Sequence, residues 1–290
     1  MRLGVNLPNF GPTALRDPIG DLARRAEDAG FDSVWVSDHV VMPARVESAY
    51  PFSPDGSFPW PVDEPWFDPL VALSFAAAAT SRVELGVGVL IAPLRHPVVL
   101  AKQAASLDAY SGGRLVLGVG AGWMAEEFDA LGIPFTERAR RLEDTVGILR
   151  SCWGGETAAH AGSTMAVDAG LWCVPRPARE VPVLFGASTD AGLRRAGRLG
   201  AGFVGFTLAD RIDPQEIRRV VETMRGAAAD AGRPEAVSRV VYRVAGKADA
   251  VAAAIPQLAE AGVTEVVVTV SWSDRDAPGR TAELLREASG

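Results

Sequence analysis

Four stretches of the chain put chemically useful residues at the ends of short apolar runs. The run Ser33–Ser37 is followed by Asp38 and His39. His39 is one of only three histidines, and imidazole is the side chain that gives and takes a proton near neutral pH. A second run ends in Gly88-Val89-Leu90. Glycine there fits either a flat or bulky group lying against the backbone or a bulge that curves a strand. A third ends in Gly118-Val119-Gly120-Ala121-Gly122-Trp123. This lacks the last glycine of a dinucleotide fingerprint, and no acid closes a second strand, so it offers exposed amides rather than a ribose site. The fourth, Gly186-Ala187-Ser188-Thr189, leads straight into a helical pattern. Amides, hydroxyls and the helix dipole converge there, which suits a phosphate, although a plain Ser/Thr cap has the same sequence. His39, His96 and His160 lack ligand spacing, so no metal site is expected.

The elements that must position these residues are legible as alternation. Eight Val/Leu/Ile/Gly-rich runs are separated by helical patterns: Leu3–Leu7, Ser33–Ser37, Val83–Ile91, Leu115–Val119, Val181–Phe185, Gly202–Phe206, Val237–Val244 and Glu265–Val270. Runs that are apolar on consecutive residues suit strands buried on both faces, and eight of them with intervening helices predict a closed (β/α)8 TIM barrel in the α/β class. The first helix is expected to start at an Asp17 cap with Pro18 at its first position, to bury Ile19, Leu22, Ala23 and Ala26, and to stop at Gly30. Gly200 and Gly262 are expected to end later helices in the same way, and His96 to cap the helix opening at Pro97. In such a barrel the active site lies at the C-terminal ends of the strands, where all four stretches fall.

Two connections are too long for plain loops. Residues 39–67 follow the second strand and carry Tyr50, Phe52, Phe58, Trp60, Trp66 and Phe67. They are expected to form a lid, with Trp60 and Trp66 as substrate contacts. Residues 154–180 form an insertion before the fifth strand. No linker divides the chain, so residues 1–290 are expected to form one domain.

Composition excludes several function classes. The chain has 290 residues, 48% hydrophobic and 22% charged, which is globular rather than disordered. A net charge of −7 and the lack of a basic face argue against nucleic acid. Apolar runs are too short to span a bilayer, so no membrane partner is expected. Cys152 and Cys173 do not form a Cys-x-x-Cys pair, which suits reduced thiols. With no signal-peptide pattern at the start, the expected compartment is the cytoplasm.

The segments Leu3–Pro8, "GFDSVWVSDH" ending at His39, and the long stretch from Leu85 to Gly132 resemble the luciferase-like monooxygenase superfamily, in its F420-dependent oxidoreductase branch. The likeness runs to about Gly205. It implies that Asp38 and His39 border a deazaflavin ring, that a non-proline cis peptide at Gly88–Val89 props the ring, that Gly120, Ala121, Gly122 and Trp123 lie beside it, and that Gly186, Ala187, Ser188 and Thr189 take its phosphate. It also implies a homodimer. The sugar-phosphate dehydrogenases of that branch carry an acid directly after the fourth-strand glycines. This chain has Trp123 there, with Glu126 and Glu127 a turn later, which leaves the general base unassigned.

The expected activity is hydride transfer between coenzyme F420 and a small organic substrate, with His39 as the proton donor and Asp38 orienting the ring or His39. Three other readings suit the same residues: an FMN-dependent monooxygenase, a non-catalytic flavin-binding barrel, and an unrelated phosphate-binding barrel lyase.

Overall fold

The computed structural model describes all residues from Met1 to Gly290. In chain order the elements are β1 (Arg2–Asn6), α1 (Pro12–Arg16), α2 (Ile19–Asp28), β2 (Ser33–Val36), α3 (Pro69–Ala79), β3 (Glu84–Ile91), α4 (Pro97–Tyr110), β4 (Leu115–Gly120), α5 (Ala125–Ala130) and α6 (Arg138–Trp153). There follow β5 (His160–Ala161), β6 (Ala166–Val167), β7 (Val183–Phe185), α7 (Asp190–Leu199), β8 (Gly202–Leu208), α8 (Pro214–Asp230), β9 (Arg239–Ala245), α9 (Ala248–Glu260), β10 (Glu265–Val268) and α10 (Ala277–Ala288). Eight strands close in the order β1-β10-β9-β8-β7-β4-β3-β2, and every neighbouring pair is parallel. The chain is therefore a (β/α)8 barrel, and each of the eight expected runs supplies one of its strands. The insertion at 154–180 holds the antiparallel hairpin β5–β6 and an antiparallel bridge between Glu156 and Trp172.

The apolar runs are explained by burial on two sides. Outward residues such as Leu3, Val5, Val34, Val36, Leu85, Val87, Leu115 and Leu117 pack under the helices. Inward residues fill the lumen, where Trp35, Val116, Leu184, Val204, Val241 and Val267 form a separate plug. Trp35 dominates this layer: a Cβ on Gly86 would sit 2.3 Å from its ring. Below the plug, Glu265 is fully buried, bonded to Ser33 and Arg239, and accepts from Trp35 Nε1 at 3.1 Å. Charge at this N-terminal end seals the barrel, which is the stability-bearing face of the fold.

Three local expectations are corrected. Asp17 pairs with Arg16 at 2.7 Å instead of capping α2, whose cap position is Pro18; the buried face Leu22, Ala23 and Ala26 is as expected. His96 sits at the cap of α4 but makes no side-chain cap bond and is exposed. Gly30 and Gly262 adopt positive φ, of 88° and 94°, as C-terminal stops do, whereas Gly200 has φ −88°. Its glycine is required by space: a Cβ would lie 2.7 Å from the Ala196 carbonyl oxygen and 2.9 Å from Phe185.

Candidate functional site

At the C-terminal ends of the strands the third inward layer splits into two halves. The half formed by β3, β4 and β7 is glycine: Gly88, Gly120 and Gly186. The Gly88–Val89 peptide is cis, and the β3–β4 register shifts between Val87 and Leu90. This bulge turns Val89 inward, so that a Cβ on Gly120 would lie 2.6 Å, and one on Gly186 3.0 Å, from a Val89 methyl. Gly88 itself is confined by Arg243 and Trp35. The close approach suggested by these glycines is thus made first by the protein's own side chains.

The other half, from β1, β2, β9 and the segment after β10, is polar. Arg243 of β9 donates from Nε to Asn6 Oδ1 at 3.0 Å, from one terminal nitrogen to Ser37 Oγ at 3.0 Å, and from the other to the Gly88 carbonyl oxygen. Asn6 in turn donates to Thr269 Oγ1 at 3.2 Å. Burial lowers the Arg243 pKa to about 10, which still leaves it cationic at neutral pH. No carboxylate pairs with it. Sequence reasoning missed this residue. The signal was an arginine at the C-terminal end of a strand run, where Val244 alone separates it from the run's last residue, Ala245.

His39 and Asp38 sit side by side but serve different partners. His39 Nδ1 is 2.7 Å from Glu127 Oε2, with both side chains buried. Glu127 also accepts from the amide of Val40 at 2.8 Å. The ring edge faces Trp66 at 4.6 Å and Phe58 and Trp123 at 6.0 Å, and Nε2 makes no hydrogen bond. Asp38 does not orient His39. Its carboxylate is clamped by Arg95 at 2.7 and 2.8 Å and by the Ile91 amide at 2.8 Å, and Arg95 also reaches Asp68 at 3.0 Å. Burial pushes the Asp38 carboxyl up, against the pull of Arg95. The pair ties the end of β2 to the start of the loop after β3.

The lid folds over this floor as an aromatic cluster. Tyr50 contacts Phe52, Phe58, Trp60 and Trp123. Phe52 reaches Phe206 of β8 at 5.1 Å, and Trp66 stacks on Phe10 at 4.4 Å. Of the two expected substrate contacts, Trp66 borders His39, while Trp60 lies further out against Phe10 and Tyr50 and is 36% exposed. Trp66 Nε1 is a buried donor with no partner. Glu126 anchors the lid by accepting from the Ser48 hydroxyl at 2.7 Å and the amides of Glu47 and Ser48.

Gly186, Ala187, Ser188 and Thr189 lie at the start of α7, with Ser188 and Thr189 exposed. Thr189 is the N-cap and accepts from the Gly192 amide at 3.2 Å, so the cap reading holds and the neighbouring hydroxyl of Ser188 stays free. Asp190 in the first turn is paired with Arg219 at 2.8 Å. Trp123 is packed under the lid, and Gly122, at φ 85°, is hemmed in by Ile91 and Phe128.

The luciferase-like monooxygenase family model matches residues 1–284. An F420-dependent glucose-6-phosphate dehydrogenase of Nakamurella multipartita is 38% identical over 199 residues, which cover 67% of this chain and 52% of that protein. Among solved structures, an F420-dependent secondary alcohol dehydrogenase superposes with a TM-score of 0.79 at 17% identity, covering 100% of this chain and 99% of that one. The FMN-bound oxygenating component of 3,6-diketocamphane monooxygenase from Pseudomonas putida does so with a TM-score of 0.74 at 17% identity, covering 100% and 98%. By its family model, which spans nearly the whole chain, this protein belongs to the luciferase-like monooxygenases.

Proposed function

We propose that the protein is an oxidoreductase that transfers a hydride between coenzyme F420 and a small, largely apolar substrate at the barrel mouth. The observation that carries this reading is the buried His39, held by Glu127 through Nδ1, left with an unbonded Nε2 and walled by Trp66, Phe58 and Trp123. The relatives named for F420 support the choice of cofactor.

The residues present fit such a group. Trp66 Nε1 is a buried donor awaiting an acceptor, and the start of α7 offers amides for a phosphate. Gly88, Val89, Gly120, Ala121, Gly122 and Trp123 would border the ring, and Gly186, Ala187, Ser188 and Thr189 would take the phosphate. Asp38 would act at one remove, by fixing the strand end that carries His39. When bound, the deazaflavin supplies the carbon centre that exchanges hydride.

The protein's own part is then to hold, dry and protonate. Glu127 fixes the imidazole orientation, as a carboxylate behind a histidine does. His39 delivers or receives the proton at Nε2 as hydride moves. The lid aromatics exclude water, which strengthens every electrostatic interaction beneath them. Trp123 against Tyr50 and Phe58 makes an apolar wall, which favours an apolar substrate body over a sugar phosphate. No helix is long and apolar enough to cross a membrane. Val71 and Phe75 of α3, 55% and 65% exposed, suit a homodimer face.

The test is titration with F420 and with FMN, followed by spectra of the reduced cofactor under substrate candidates. F420 binding with oxygen-insensitive turnover supports the proposal. Tight FMN binding with oxygen consumption makes the protein a monooxygenase. Binding without turnover leaves a non-catalytic barrel.

A further inference from the structure

We propose that Arg243 is the anchor for a carboxylate on the substrate, so that the site takes monocarboxylates with an apolar body. The inference rests on the mouth being the active site, and it names the substrate class.

The first observation is a cation without a counterion. Arg243 is mostly buried, and its neighbours Asn6, Ser37 and the Gly88 carbonyl are all neutral. Tyr50, the titratable group facing it from the lid, is pushed up to about 12 by burial and so is uncharged at working pH. An enclosed guanidinium with no carboxylate is costly. The sheet keeps the cost small enough to bear by spending three donors on neutral acceptors.

The second observation is the number of donors left over. A guanidinium carries five N–H groups. Nε and one hydrogen on each terminal nitrogen are used. One hydrogen remains on each terminal nitrogen, so the guanidinium keeps donors that a carboxylate's oxygens can accept.

The third is what stands over it. In the β8–β9 register Phe206 is paired with Arg243, Phe52 of the lid packs on Phe206, and Tyr50 packs on Phe52 at 5.5 Å. A cationic floor under an aromatic roof suits one acidic group on an apolar body, and penalises a molecule with several charges. Arg239, four residues earlier on the far side of Val241, shows the contrast. It is matched by Glu265 and Glu84 and belongs to the barrel's seal.

The experiment uses the full chain without cofactor, titrated calorimetrically with benzoate and with its neutral isostere benzamide. The wild type is expected to bind benzoate about 10- to 100-fold more tightly than benzamide, the usual worth of charged hydrogen bonds. Arg243→Gln should abolish that preference with the melting temperature held. Arg243→Lys, which keeps charge but not the fork, should keep only part of it. Should the glutamine variant fail to fold, the lysine variant carries the comparison. Equal binding of benzoate and benzamide to wild type, or a preference that survives in both variants, overturns the proposal. F420 titration of the same proteins separates the two readings. Wild type that binds benzoate selectively but no F420 sinks the cofactor assignment alone. Variants that lose F420 while the wild type shows no benzoate preference assign the cation to the cofactor and overturn the substrate carboxylate.

Discussion

Glu127 and His39, 88 residues apart, meet through a 2.7 Å contact between Oε2 and Nδ1 in the buried wall of the barrel mouth. Glu127 comes from α5, a single short helix after β4, and its second oxygen ties down the amide of Val40 just past His39. The carboxylate thus sets both the ring and the chain that carries it.

If His39 donates the proton, His39→Ala should cut the chemical step about 10²–10⁴-fold, the usual worth of a positioned acid, while cofactor affinity changes little. Glu127→Gln keeps the hydrogen bonds from Val40 but removes the charge behind the ring, so kcat should fall about tenfold or more with KM and cofactor Kd near wild type. Single-turnover kinetics beside a binding titration reads both. Weak binding with normal saturated turnover would make His39 a binding residue.

Ser188→Asp should weaken F420 about tenfold or more through like-charge repulsion at the start of α7. The same chromophore lacking its phosphate should bind both proteins alike. Fluorescence quenching gives both constants, and equal loss for the two ligands would place the phosphate elsewhere.

Asp38 and Arg95 form the clamp under the lid hinge. Asp38→Ala leaves a mostly buried guanidinium facing the hole and is expected to cost about 3–5 kcal/mol, as broken buried pairs do. Urea unfolding measures it. A loss under about 1 kcal/mol would show the clamp to be dispensable.

Glu126 makes lid closure depend on acid. Burial works against its charge, but the Ser48 hydroxyl and the amides of Ser48 and Glu47 outweigh it and bring the carboxyl to about 2. A depressed carboxyl stabilises the closed lid above its unfolded value, and that contribution is lost as pH falls from about 4.5 towards 2. Proteolysis within residues 40–60 should therefore rise across that window. Glu126→Gln should open the lid at neutral pH. A flat response would mean that the aromatic cluster alone holds it.

Gly86→Ala should disrupt the lumen, because its Cβ would lie 2.3 Å from the Trp35 ring. Overpacking at a site with no slack costs about 1–3 kcal/mol or more. Trp35→Leu in the same chain should recover part of the loss in a melting experiment, since it removes the ring that the methyl meets.

The amino-acid order by itself determined the barrel. Strand periodicity and burial on both faces are local properties of runs such as Leu115–Gly120, and eight of them leave one closed parallel solution. The order also put Asp38, His39, Gly120 and Ser188 on the catalytic face, because strand ends are visible one strand at a time. What it left open were pairings across the sheet. Asp38 was expected to orient either the ring or His39, and the fold gave Asp38 to Arg95 and His39 to Glu127. The glycines of β3 and β4 looked like a ligand's footprint until Trp35 and Val89 were seen to fill the space they leave. Arg243 carried no local motif at all. Only closure of the barrel brings β9 to β1, β2 and β3, and so leaves a charge at the centre of the mouth with neutral neighbours.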